Sequence, residues 1–168
     1  MTNPRKPFRL NVGFIIKAAV GFNRDFDFYF PRYVDDDLVL TEVEGLINVG
    51  RTSQGLIVQG NFSGHTTLEC VRCLTTFEQP LKWEFTEVYA FKIDDVAEFG
   101  LIVPEDGQLD LQTIFREYAI LEIPIQPICR EDCQGLCIEC GQNLNEKDCG
   151  HSQTPDSPFA TLENLLED

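Results

Sequence analysis

Lysine and arginine are scarce in this chain, 13 against 28 aspartates and glutamates, which leaves a formal net charge of −15. That shortage argues against a protein that holds polyanions by bulk electrostatics, because phosphate binding depends on lysine and arginine displacing counterions. The basic residues that exist form no stripe: Arg5, Lys6 and Arg9 sit near the start, whereas Arg72, Lys82, Lys92, Arg116 and Lys147 are scattered. Long apolar runs are missing too, and no segment approaches the roughly 20 residues of a membrane span. The start, MTNPRKPFRLNVGFII, has no apolar run followed by a small-residue cleavage site, so the expectation is a cytoplasmic protein. There is no internal repeat and no low-complexity tract. Neither the H-x-E of a deaminase nor the H-E-x-x-H of a metalloprotease appears.

Cysteine is absent from most of the chain and dense in two places. Cys70 and Cys73 form a C-x2-C pair, and Cys129, Cys133, Cys137, Cys140 and Cys149 lie with His151 in the stretch CREDCQGLCIECGQNLNEKDCGH. In a reducing compartment clustered cysteines mean metal more often than disulfide, and a total of seven fits poorly with complete pairing. Thiolates two residues apart grip one ion from a tight turn with little strain, and zinc prefers such tetrahedral sulfur sets. Gly141, directly after Cys140, permits the backbone to turn under the metal.

The donors divide by local arithmetic. Cys137, Cys140, Cys149 and His151 make a self-closing C-x2-C-x8-C-x-H loop with Gly135, Gly141, Asn143 and Asn145 as turn residues, which leaves Cys70 and Cys73 to meet Cys129 and Cys133. Two structural zinc ions are therefore expected. A rival grouping faces Cys70 and Cys73 with Cys137 and Cys140 as a zinc ribbon, and an iron–sulfur site is a further option resting on cysteine number alone. His151 is acceptable as a zinc ligand through neutral imidazole, the alternative being a solvated loop residue. His65 falls on the polar side of its strand and is read as a surface residue. Sites with four ligands keep no open position, which argues for structural zinc and against an enzyme. Glu131, Asp132, Glu139 and Asp148 near the cluster are read as solvated loop carboxylates, and no catalytic residue is assigned.

The 168 residues, 43% of them hydrophobic, suit one globular domain with a small appendage. Val12, Phe14, Ile15 and Ile16 form an apolar cluster that fits helix and strand equally. Phe26, Phe28 and Phe30 alternate in a strand that Pro31 closes, and Leu38 to Val49 is a second, with Val39, Val43, Ile47 and Val49 on its buried side. A third strand places Leu56, Val58, Phe62, Leu68 and Cys70 on one face and ends at the C-x2-C tip of a hairpin. Strand-like sequence resumes with Leu74 and continues after Pro80 as a fourth strand that aligns Leu81, Trp83, Phe85, Tyr89 and Phe91. An acidic loop from Lys92 to Gly107, with Asp94, Asp95 and Glu98, holds a short strand at Leu101 to Val103. Asp110 caps a helix whose face is Leu111, Ile114, Phe115, Tyr118 and Leu121, and Pro124 stops it. The fold class expected is α+β: an antiparallel meander packed with one main helix, a cysteine-rich zinc module and a short last helix carrying Phe159, Leu162, Leu165 and Leu166. The boundaries are 1–128 for the α+β domain with the Cys70–Cys73 knuckle, 129–151 for the module, and 152–168 for a linker and helix that docks on the parent domain or serves as a partner-binding peptide.

The order ECVRC, IPIQPIC, DCQGLCIECGQNLN, DCGH and SPFATLENLL resembles the YceD-type family, the large ribosomal RNA accumulation proteins. The likeness runs from the Phe26/Phe28 strand to the end, and GLCxxCGxNLN is its most specific segment. Many relatives close the cluster with Cys-x-Cys where this chain has Cys149-Gly150-His151. The resemblance implies a role in build-up of large-subunit ribosomal RNA and does not imply catalysis; with closed metal sites expected, the reading is a non-enzymatic factor. Charge adds an expectation of its own, that the partner is a precursor particle or a basic ribosomal protein, with weak RNA contact and no membrane. The alternative is a thiol-based redox or zinc-responsive regulator.

Overall fold

Residues 7–92 and 100–151 are described by the computed structural model. They are mostly strand, with two short helices. In chain order the elements are β1 (Arg9–Asn11), α1 (Gly13–Ile16), β2 (Asn23–Asp35), β3 (Leu38–Arg51), β4 (Gly55–Glu69), β5 (Thr76–Ala90), β6 (Leu101–Ile102), β7 (Gln108–Asp110) and α2 (Gln112–Leu121). The long strands lie side by side in the order β2-β3-β4-β5, and β6 adds a short parallel edge beside β5. Alternation of apolar and polar residues is the cause, since period 2 buries one face of each strand and short turns join neighbours. β1 and β7 pair antiparallel as a separate ribbon.

The chain divides into two compact units: residues up to Leu68 with Phe77–Ile125, and Glu69–Thr76 with the described residues from Gln126 onward. The core of the first unit is aromatic. Phe8 is fully buried, and its ring meets those of Phe115 at 4.1 Å, Phe28 at 5.4 Å, Tyr33 at 5.6 Å and Phe62 at 6.2 Å. From α2, Phe115 stands edge-on to Phe62 and Trp83 while Tyr118 tilts against Phe85, so the helix covers one face of the sheet.

Several sequence expectations need correction. Pro31 does not close β2, which runs on to Asp35. β2 is the outer strand, where a missing N–H need not cost the ladder a bond. Val39 faces out, 39% exposed, while Leu38 and Leu40 are buried. The reason is a bulge: Thr41 pairs with His65 but Glu44 with Ser63, so β3 carries one extra residue, and Glu42 sits there at φ 51. Residue parity flips across it, which restores Val43, Ile47 and Val49 to the buried side. β5 begins at Thr76, two residues after the expected start at Leu74, and runs through Pro80 as expected. In α2 the buried residues are Phe115 and Ala119, with the cap residue Leu111 buried beside them, whereas Leu121 is 77% exposed. Asp110 stands one position before the cap residue Leu111 and accepts the Gln112 N–H at 3.3 Å. The helix ends at Leu121, ahead of Pro124. The Val12 to Ile16 cluster resolves as the short helix α1, with Val12 and Ile15 buried. Asp94, Asp95 and Glu98 of the acidic loop, and the last helix with Phe159, Leu162, Leu165 and Leu166, lie outside the described residues.

Candidate metal centre

Both C-x2-C pairs adopt one backbone turn. At the tip between β4 and β5, the Cys70 N–H donates to the Thr75 carbonyl at 3.0 Å and the Leu74 N–H to the Cys70 carbonyl at 2.9 Å. In the second pair, the Cys137 N–H donates to the Gln142 carbonyl at 2.8 Å and the Gly141 N–H to the Cys137 carbonyl at 2.9 Å. The residue after the second cysteine has positive φ in each, 58° at Leu74 and 72° at Gly141. The expected role of Gly141 is therefore met, and Leu74 adopts the same conformation at the first knuckle despite its Cβ.

Eight donors fall into two quartets, Cys70, Cys73, Cys129 and Cys133 in one, Cys137, Cys140, Cys149 and His151 in the other. Within each, the ligand atoms lie within 4.8 Å of one another. This is the division expected from sequence, and the ribbon-like pairing of Cys70 and Cys73 with Cys137 and Cys140 is not the one formed. All seven cysteines are free of disulfides. Sulfur spacings of 3.8 Å for Cys70–Cys133 and 3.6 Å for Cys73–Cys129 fit a shared ion. A tetrahedron with metal–sulfur bonds of about 2.3 Å separates its sulfurs by roughly 3.8 Å. Cys137 Sγ stands 3.7 Å from His151 Nδ1.

The first quartet is mostly buried, and its electrostatics ask for a cation. Burial pushes the Cys70 thiol up, but backbone amides of Cys129, Cys73 and Arg72 outweigh it and draw the thiol down to about 6. The Thr75 hydroxyl and amide lower Cys73. Cys129 is driven up to about 12, by burial first and then by the neighbouring sulfurs of Cys73, Cys70 and Cys133. Crowded thiols cannot all ionise without a positive charge among them, which is what a divalent ion supplies. In the second quartet the His151 amide favours the Cys149 thiolate, yet the sulfurs of Cys137 and Cys140 with burial leave its pKa raised.

A set of backbone and amide contacts joins the quartets. The Arg72 carbonyl accepts the Leu136 N–H at 3.0 Å, and its guanidinium donates to the Cys133 carbonyl at 3.2 Å. Asn145, which lies in sequence between Cys140 and Cys149, reaches the other quartet: its Nδ2 donates to Cys133 Sγ at 3.4 Å, and its Oδ1 accepts the Gln134 N–H at 2.8 Å. Sequence reasoning assigned Asn145 to a turn and missed this contact to sulfur. It missed Arg72 as a staple for the same reason, because neither residue is adjacent in sequence to what it holds. Among the acidic neighbours, Asp132 pairs with Arg130 at 3.3 Å and Asp148 accepts the Gly150 N–H at 2.8 Å. Glu131 and Glu139 are exposed. His65 belongs to neither quartet and lies 3.7 Å from Glu42 in the first unit.

Sheet, knuckles and quartets define a β-rich protein with two candidate metal centres. The chain belongs to the family described as large ribosomal RNA subunit accumulation protein YceD, whose model matches residues 58–166. It is 30% identical over 126 residues to a Mycobacterium tuberculosis protein, covering 71% of this chain and 60% of that relative. It is 39% identical over 66 residues to the chloroplastic large ribosomal RNA subunit accumulation protein YCED homolog 1 of Arabidopsis thaliana, covering 38% and 20% of the two chains. YlbN of Bacillus subtilis is 30% identical over 110 residues, 62% of this chain and 63% of YlbN. The chain thus spans about 60% of the length of the mycobacterial relatives it matches. No solved structure matches.

Proposed function

We propose that this chain is a non-enzymatic factor supporting accumulation or assembly of large-subunit ribosomal RNA, with two structural zinc ions shaping the surface that meets its partner. Family membership and the names of the plant relatives support the ribosomal role. The observation that carries the zinc reading is geometric: two sets of four donors, each with its ligand atoms within 4.8 Å of one another. Four protein ligands fill a tetrahedral ion and leave no position for substrate, which supports a structural use. Bound zinc would cross-link the Cys70–Cys73 tip to Cys129 and Cys133, and the Cys137–Cys140 knuckle to Cys149 and His151.

Charge selects the partner. At −15, the chain is matched to a precursor particle through its basic proteins, or to one basic ribosomal protein, better than to free RNA. A cytoplasmic location goes with this reading, and among the described residues no helix is long and apolar enough to cross a membrane. Co-purification of the tagged chain at moderate salt, followed by identification of bound protein and RNA, tests it. Recovery of precursor large-subunit particles or a basic ribosomal protein is expected, with weak binding of free RNA. Tight capture of naked ribosomal RNA with a steep salt dependence, and of no particle or protein, would replace this reading with direct RNA binding.

A further inference from the structure

The two quartets differ in what solvent can reach. Cys70, Cys73 and Cys133 are buried and Cys129 is intermediate. In the second quartet Cys137 alone is buried, Cys149 is intermediate, and Cys140 and His151 are exposed. The backbone differs as well. Cys140 and Cys149 are each followed by a glycine of positive φ, 72° at Gly141 and 75° at Gly150, and neither glycine has an atom within 4 Å of where a Cβ would stand. The turn that carries Cys140 and the one that carries Cys149 therefore lie open on that side. Cys73, by contrast, is buried.

We propose that Cys140 and Cys149 form a hydroperoxide-sensitive thiol pair, whose closure into a disulfide releases the ion of the second quartet while the first quartet keeps its own. The release rests on the zinc reading above; the pairing of the two cysteines rests on exposure and spacing. Their sulfurs lie within 4.8 Å, and a disulfide needs about 2.05 Å, a closure that rotation of the two cysteine side chains must supply. The exposed Cys140 thiolate attacks the O–O bond of the hydroperoxide, taking its terminal hydroxyl as a sulfenic acid while the remaining oxygen leaves as an alcohol, or as water from hydrogen peroxide, after gaining a proton. Cys149 thiolate then displaces hydroxide from that sulfur, and the hydroxide leaves as water with a second proton. Two thiolates are oxidised by two electrons and the peroxide bond is reduced by the same two. Cys137 and His151 remain, too few to hold a zinc ion closed.

The test uses the full zinc-loaded chain. Hydrogen peroxide is added in steps while a zinc-sensitive dye records release, free thiols are then alkylated, and the oxidised ones are reduced and marked with a second reagent for mass spectrometry. One zinc equivalent of two should leave, with the second mark on Cys140 and Cys149, and thiol reductant with added zinc should restore the starting state. Simultaneous loss of both equivalents, release with Cys140 still free, or marking of Cys70 or Cys73 first overturns the proposal. The same labelling on metal-stripped protein separates the two readings. A chain that takes up no zinc defeats the metal reading and the release, whereas failure of Cys140 and Cys149 to pair in either form defeats the switch alone.

Discussion

Leu74 occupies a backbone conformation that a leucine tolerates poorly, at φ 58 and 56% exposed, because the first knuckle needs the same turn that Gly141 makes at the second. Leu74→Gly removes that strain and sacrifices little packing. It should stabilise the metal-loaded protein by about 1 kcal/mol or less, read as a higher urea midpoint at unchanged slope. A drop in midpoint would mean that the leucine side chain contributes contacts worth more than the strain. Asn145 acts in the opposite sense. Its amide touches Cys133 Sγ and the Gln134 N–H, so Asn145→Ala should weaken zinc at the first quartet by about 10-fold or more in a competitive chelator titration. In the core of the first unit, Phe8 contacts five other aromatic rings. Phe8→Ala should cost about 3–5 kcal/mol in denaturant unfolding, the range for large aromatic truncations in cores.

At the scale of elements, the strands were legible because their period-2 patterns are strong, and the knuckles because two C-x2-C pairs in one chain have few other uses. What the sequence hid were features that a pattern cannot carry. The bulge at Glu42 reverses parity halfway along β3, so Val39 matches the buried pattern in sequence and faces solvent in space. The β1–β7 ribbon pairs segments about a hundred residues apart, and each strand is three residues long, too short for alternation to register. The two knuckles share hydrogen bonding but not sequence, since Leu74 stands where Gly141 does. Their roles should separate under mutation. Cys137→Ser should raise amide hydrogen exchange within residues 135–151, whereas Cys70→Ser should raise it at the Cys70–Thr75 turn and around Cys129–Cys133 as well. Equal and unrestricted loss of protection in both variants would show that the quartets do not act as separate links.

For the whole molecule, metal analysis should find zinc near two per chain, because the eight donors form two complete sets. One equivalent with Cys149 and His151 unprotected would remove the second centre. The pairing of Cys73 with Cys129 has a further effect, one that belongs to the unfolded chain. An ion there closes a loop of 56 residues, which holds β5, β6, β7 and α2, whereas the link from Cys140 to Cys149 closes a loop of about nine. Loop-closure entropy rises as the logarithm of length, and the ratio of these loops makes the longer clasp worth roughly 1.6 kcal/mol more to stability than the shorter. Two of the five strands of the main sheet, and the helix that covers it, would thus be tethered by a metal that touches none of them, so stripping that ion would widen the ensemble available to the chain before a single contact in the aromatic core is lost.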